Sequence, residues 1–212
     1  GKGRWIEPFF FFFVVGFNIQ PKAALFCDNN PHIINFYNEI KTGAITTELV
    51  RKFLEAEGHQ LTKQGQDYYY EVRERFNRDK APLDFLFLNR ACFNGVIRFN
   101  RRGEFNVPFG HKPERFAKAY ITKIVNQVAY VAKLTQVSDW TFLCQHYQRT
   151  LANVSKGDFV YCDPPYLGRH ADYFNSWEEN EEEQLCVLLK KCPGKFILST
   201  WQSTSHRENI YL

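Results

Sequence analysis

Asp163-Pro164-Pro165-Tyr166 follows the apolar run Phe159-Val160-Tyr161-Cys162. A β-type run that stops at an acid, two prolines and an aromatic concentrates chemistry in a very short stretch. Proline lacks an N–H and holds φ near about −65°, so strand pairing ends there and the carbonyls stay available. A carboxylate, an unpaired main-chain carbonyl and an aromatic face then meet at a strand's C-terminal edge, where open α/β sheets bind ligands. A planar amine such as the exocyclic nitrogen of adenine matches that set. Its two N–H donors need two acceptors, Asp163 and the Pro164 carbonyl, and its ring can lie on Tyr166. The same residues would also make a rigid turn after a buried strand, and only the rest of the chain can separate the two readings.

A second acid closes a second strand. Trp5-Ile6-Glu7-Pro8-Phe9 ends one apolar strand, and Ala23 to Cys27 forms another that ends at Asp28-Asn29-Asn30-Pro31. Asn30 with Pro31 predicts a helix N-cap and first helical position, leading into Ile33, Ile34, Phe36, Tyr37 and Ile40 at helical spacing. An acid at the end of the second strand of a nucleotide-binding α/β unit is where ribose hydroxyls are held. A simple Asx turn at Asp28 is the competing reading.

The segment from Asn94 to Gly110 predicts a β-hairpin around the turn Asn100-Arg101-Arg102-Gly103. A ribbon with such a tip can enter a DNA groove, where arginine forks match guanine and amides take phosphates; a merely soluble hairpin tip carries the same residues. Basic residues gather around it: Arg90, Arg98, Arg101, Arg102, Lys112 and Arg115, against Glu104 and Glu114. The whole chain of 212 residues carries a net charge of only +4, with a pI of about 8.7, so the location of charge says more than its sum.

The remaining elements supply the frame. Thr46 to Arg78 is helical and polar, and Tyr68, Tyr69 and Tyr70 point three ways on a helix, which favours packing over base stacking. Pro82 opens another helix, Phe116 to Ala132 a long one, Trp140 to Phe142 a strand, and Tyr147 to Leu151 a short helix. Leu167 to Asn175 is irregular and of a length to cover the site; Ser176-Trp177-Glu178-Glu179 predicts a capping-box start. The acids from Glu178 to Glu183 predict a solvated helix face, and Lys195 to Thr200 one more strand. The six cysteines show no C-x-x-C spacing, which argues against zinc. With no signal peptide visible they are expected to be reduced thiols in a cytoplasmic protein. The apolar run from Phe9 to Val15 is too short to cross a membrane. Methionine is absent even at position 1, which suggests an interior piece of a longer reading frame.

Taken in order, Glu7-Pro8-Phe9, Asp28-Asn29-Asn30-Pro31, Leu88-Asn89-Arg90 with Phe93-Asn94-Gly95, Gly103 to Gly110, and Asp163 to Tyr166 resemble the Dam-type (D12 class) DNA adenine-N6 methyltransferases. The resemblance runs from about Trp5 to Trp201. It implies an α/β fold: a Rossmann-like methyltransferase sheet with an inserted helical and β-hairpin DNA-recognition domain. Residues 1–42 then form the donor-binding part, 43–137 the recognition domain and 138–212 the catalytic part. It also implies S-adenosylmethionine as methyl donor, no metal, and duplex DNA as partner, at a GATC-like site. By position, Glu7, Pro8 and Phe9 match the start of the donor loop, and Asp28 with Asn29 the ribose site. Asp158 or Phe159 is expected near the donor's adenine, while Asp163, Pro164, Pro165 and Tyr166 grip the target base. Arg98 matches the guanine-reading arginine; Phe93, Asn94, Val96 and Pro108 its neighbours. Arg90, Asn100, Arg101 and Asn106 complete the expected DNA contacts.

Two departures bear on activity. The family's loop after Glu-Pro-Phe reads x-Gly-x-Gly, but Phe11 and Phe13 stand at the glycine positions, where main chain must approach ligand closely. The Trp-Ala-Gly-Gly-Lys element that opens the family is also absent before Trp5. Weak donor binding is the expectation for this chain. Two other readings stay open: cytosine-N4 methylation, which the same acceptor pair could support, and a DNA-binding protein on a catalytically impaired scaffold.

Overall fold

In a computed structural model of the chain, residues 3–10, 14–166 and 177–200 are described. The sequence expectations for Phe11, Phe13, the Leu167 to Asn175 loop, Ser176 and Trp201 fall outside them. Packing divides the chain into one unit of residues 1–34 with 137–212 and another of residues 35–136.

The first unit is built on five parallel strands: β1 (Trp5–Glu7), β2 (Ala23–Asp28), β3 (Asp139–Cys144), β4 (Phe159–Cys162) and β5 (Lys195–Leu198), in the order β3-β2-β1-β4-β5. Chain order reverses between β1 and β4, and at such a switch point the ends of neighbouring strands part to leave a crevice. Parallel neighbours require crossovers, which here include α1 (Val14–Ile19), α7 (Tyr147–Ala152) and α8 (Glu179–Lys191). Strand residues alternate between two faces. Ile6, Leu25, Cys27, Val160 and Cys162 pack with Leu151, Leu185 and Leu189 on one face. On the other, Phe10, Phe17, Phe26, Trp140 and Phe142 form an aromatic layer with ring centroids 4.6 to 5.7 Å apart.

α2 (Pro31–Thr42) starts as predicted, with the His32 N–H donated to Asn30 Oδ1 at 3.0 Å. α8 differs from expectation. Its N-cap is Glu178, which makes no side-chain cap. Nor is the acid run wholly solvated: Glu182 is buried and accepts the Trp177 indole N–H at 2.7 Å, while Glu181 accepts the Tyr147 hydroxyl at 2.8 Å.

The second unit is helical. The stretch read as one helical region splits into α3 (Thr47–Gln64) and α4 (Gln66–Asp79) at Gly65, whose φ of 63° and ψ of −132° no helix accommodates. α5 (Pro82–Ala91) and α6 (Lys118–Val137) follow, a 3-10 turn at Pro113–Phe116 preceding α6. Arg75 of α4 bridges Glu57 of α3 and the buried Asp84 of α5. Tyr68 and Tyr69 are buried, and Tyr70 lies under the Arg73 guanidinium.

The predicted hairpin is present as an irregular ribbon, with the Asn100 N–H donated to the Glu104 carbonyl at 2.9 Å and the Asn106 N–H to the Arg98 carbonyl at 3.2 Å across the turn. Its sheet character is limited to the isolated bridges Cys92↔Phe109 and Phe99↔Phe105. Asn94 and Gly95 take left-handed φ of 52° and 69°, and Pro108 has no N–H to donate, so a regular ladder cannot propagate. Side chains of α4 supply partners instead. Asn77 bonds both the N–H and the carbonyl of Phe105, and the Tyr69 hydroxyl bonds the Val107 carbonyl at 2.8 Å. Among the described residues no helix is long and apolar enough to cross a membrane.

Candidate functional site

The C-terminal strand ends of the first unit gather the acids. β1 ends at Glu7, β2 at Asp28, and Asp163 follows β4 directly. Pro164 and Pro165 are buried, and among the described residues nothing donates to the Pro164 carbonyl. The Tyr166 hydroxyl donates to Asp163 Oδ1 at 3.2 Å and lies 3.3 Å from Ser199 Oγ, just past β5. Asp163 Oδ2 accepts no hydrogen bond from the described residues, so the carboxylate is steered but not used up.

Glu7 is buried between the Trp5 indole N–H at 2.7 Å and the Gly16 N–H at 2.8 Å. Burial pushes its pKa up to about 7, against the pull of those two donors, with the Asp163 charge adding to the rise. A Cβ on Gly16 would stand 2.7 Å from Glu7 Oε1 and 2.6 Å from the Phe26 ring. Glycine is needed here for close approach, a requirement the residue's place beyond the expected turn does not suggest.

Asp28 is 7% exposed and accepts the Asn30 N–H at 2.7 Å. The Asx turn therefore exists, and it engages Oδ1. Burial raises the Asp28 pKa to about 6 despite the backbone donors Asn30, Phe10 and Asn29. Neither Glu7 nor Asp28 has a cationic partner among the described residues. Two buried carboxylates with raised pKa values and a third acid beside them suit a ligand with hydroxyl donors and positive charge, which is the chemistry of S-adenosylmethionine. Pro8 is buried, and the Phe9 ring packs on Tyr147 and Trp177 at 5.2 and 5.4 Å.

Asp158 and Phe159 are not brought to this rim. They sit where β4 begins, at the opposite end of the sheet. The Asp158 carboxylate takes the Arg4 N–H at 2.7 Å, the Arg4 guanidinium at 2.8 Å and the Ser155 N–H at 2.9 Å. Despite burial, these donors hold its carboxyl below the usual range. Phe159 stacks on Trp5. An acid just before a strand anchors its start, and an acid just after it reaches the ligand edge. Position relative to the strand also identifies rim residues that the sequence reading passed over. Gln145, after β3, donates its N–H to the Asp28 carbonyl at 2.9 Å, and His146 beside it has a buried Nδ1 with no partner among the described residues. Cys162 is buried, and burial followed by the Asp163 charge pushes its thiol well above the ordinary range, which disfavours a nucleophilic thiolate.

In the second unit the expected contact residues divide into two sets. Phe93, Asn94, Arg101 and Pro108 are exposed, Phe93 at 54%, and the Phe93 N–H bonds the Pro108 carbonyl at 2.9 Å, so these two residues adjoin. Val96 and Arg98 are half-buried. Arg98 Nε donates to Asn106 Oδ1 at 2.8 Å, which orients the guanidinium. Asn100 and Asn106 are committed within the ribbon. Asn100 Oδ1 accepts the N–H groups of Arg102 and Glu104, and its amide donates to Glu104. A turn-forming asparagine at a tip holds the tip's shape, which corrects the expectation that its amide is presented outward. Arg90 donates to the Arg115 carbonyl and lies over the Tyr120 ring.

Residues 1–212 match the family described as D12 class N6 adenine-specific DNA methyltransferase. The chain is similar to a DNA adenine methylase of Serratia marcescens, 38% identical over 165 residues that cover 76% of this chain and 57% of that protein. It is 31% identical to a DNA adenine methylase of Vibrio cholerae over 97% of this chain and 75% of the relative. A Retron Ec67 DNA adenine methylase of Escherichia coli is 30% identical over 98% of this chain and 72% of its own length.

Proposed function

Because this chain belongs to the D12 class N6 adenine-specific DNA methyltransferase family, we propose that it methylates adenine N6 in duplex DNA at a GATC-like site. The observation that carries this reading is the pairing, at the switch point of a parallel sheet, of Asp163 and the Pro164 carbonyl, where Asp163 Oδ2 and that carbonyl accept no hydrogen bond from the described residues.

S-adenosylmethionine supplies an electrophilic methyl on a sulfonium. The chain's residues do the rest by position. Adenine N6 is a poor nucleophile because its lone pair is delocalised into the ring, and inside a base pair it is also out of reach. The base is turned out of the helix at a cost of a few kcal/mol and its ring laid on Tyr166. Asp163 and the Pro164 carbonyl accept the two N–H donors, which favours a more pyramidal nitrogen with its lone pair aimed at the methyl. Orientation and preset electrostatics supply the acceleration, and no covalent enzyme intermediate is needed. Glu7 and Asp28 hold the donor's polar groups. The unit of residues 35–136 acts as the recognition unit, with Arg98 reading a guanine and Phe93, Asn94, Val96 and Pro108 beside it.

The test is transfer of labelled methyl from S-adenosylmethionine to duplex DNA, with the product digested to nucleosides. N6-methyladenine is expected. Label in N4-methylcytosine would replace this reading with the cytosine one, and DNA binding without transfer, even in the Phe11→Gly/Phe13→Gly variant, would leave a binding protein.

A further inference from the structure

We propose that the exposed side of α6 is a second, sequence-independent contact surface for the phosphate backbone of duplex DNA flanking the methylated site, an inference that rests on the reading above. Between Arg115 and Val137 the chain contains Lys118, Lys123 and Lys133 and no Asp or Glu. Such one-sidedness is unusual for a solvated helix, which ordinarily mixes signs along its face. Tyr120, Lys123, Gln127 and Tyr130, at spacings of three, four and three, share one side of α6. The two tyrosines are 44% and 40% exposed, while Ile121, Val125 and Val128 take the buried side.

The N-terminal part of this strip is joined to the root of the ribbon. The Arg90 guanidinium lies 4.9 Å from the Tyr120 ring centroid and Lys123 Nζ 5.8 Å from it. Arg115 donates to the carbonyls of Arg90 and Cys92, and its charge, after burial, lowers the Arg90 pKa. Two cations thus flank an exposed ring and a third, Arg115, lies beside Arg90, and among the described residues none of the three is in an ion pair. Arg90 and Arg115 have their chains fixed by main-chain carbonyls, so the cluster is held in place despite mutual repulsion. An anion at the surface relieves that repulsion. From Tyr120 to Tyr130 the strip runs about 15 Å, a length over which a duplex presents several phosphates.

The experiment measures binding to a duplex containing the methylated site and to one lacking it, across a salt series. Lys123→Gln is expected to weaken both by the same factor and to lower the slope of log affinity against log salt by about 0.9, because one phosphate contact is lost. Lys52→Gln, an exposed lysine on α3, removes the same charge elsewhere and is expected to leave the slope unchanged. Equal effects of the two substitutions, or a loss confined to the site-containing duplex, would overturn the inference. If the unsubstituted chain methylates DNA and Lys123→Gln leaves the slope intact, only the α6 surface fails; if it binds no duplex at all, the proposed function fails with it.

Discussion

In the proposed reaction the chemistry turns on Asp163, whose environment makes its proposed role separable from that of Tyr166. One oxygen of the carboxylate is steered by the Tyr166 hydroxyl, and the other accepts no hydrogen bond from the described residues. Asp163→Asn keeps the shape but replaces an acceptor oxygen with a donor NH2, which opposes an amine N–H. The expected outcome is a fall in kcat of roughly 10²–10³-fold, by analogy with deletion of one preorganised electrostatic partner, with little change in duplex affinity. Tyr166→Phe keeps the stacking face and removes the hydroxyl's hold on Asp163 and Ser199. A hydrogen bond to a charged group contributes about 1.5–3 kcal/mol, so kcat should fall by roughly ten- to a hundredfold. Single-turnover methyl transfer by both variants checks the pair. A Phe variant as damaged as the Asn variant would mean that the hydroxyl touches the substrate itself.

At the scale of elements, the predictions concern close approach and burial. Gly16→Ala places a methyl against Glu7 and Phe26 at distances no ordinary contact tolerates. The expected cost is about 1–3 kcal/mol from overpacking, read in a thermal or urea midpoint. Arg75→Ala in the helical unit strips the buried Asp84 of its guanidinium and should cost about 3 kcal/mol, as breaking a buried pair from one side does. These elements also show how far the sequence could be read. Asp163 was legible because two prolines end a strand by a local rule, and Pro31 with Asn30 starts a helix by another. Asp158 is expected near the donor only by the family resemblance; its place before Phe159, at a strand's start, puts it at the opposite end of β4 from Asp163, where it bonds Arg4 and Ser155. The hairpin is legible in the alternation around its tip, but its irregularity is not, because the α4 side chains that bond part of its backbone are 28 to 38 residues away. Gln145 and Ser199 join the rim by strand order, which no local pattern encodes.

For the whole molecule, the proposal that the buried Glu7 and Asp28 hold the donor predicts that donor binding is coupled to pH. Glu7 and Asp28 have folded pKa values of about 7 and about 6, above their ordinary values of 4.5 and 3.8. A raised folded pKa means that the neutral form is favoured by folding. Each carboxyl's contribution to stability is therefore fully present below its ordinary pKa and is lost as pH rises through the folded value. Across pH 3.8 to 7 the loss is about 3 kcal/mol for each group. A ligand that brings positive charge to the rim reverses the preference by favouring the ionised forms. S-adenosylmethionine should consequently bind more tightly as pH rises from about 5.5 to 7.5, releasing protons as it binds. Titration calorimetry of the Phe11→Gly/Phe13→Gly variant in two buffers of different ionisation enthalpy measures that release directly. The same titration of the unsubstituted chain is expected to give weaker binding, since two phenylalanines occupy the family's glycine positions. Affinity independent of pH, with equal heats in both buffers, would place the donor's charge away from Glu7 and Asp28 and remove them from the binding site.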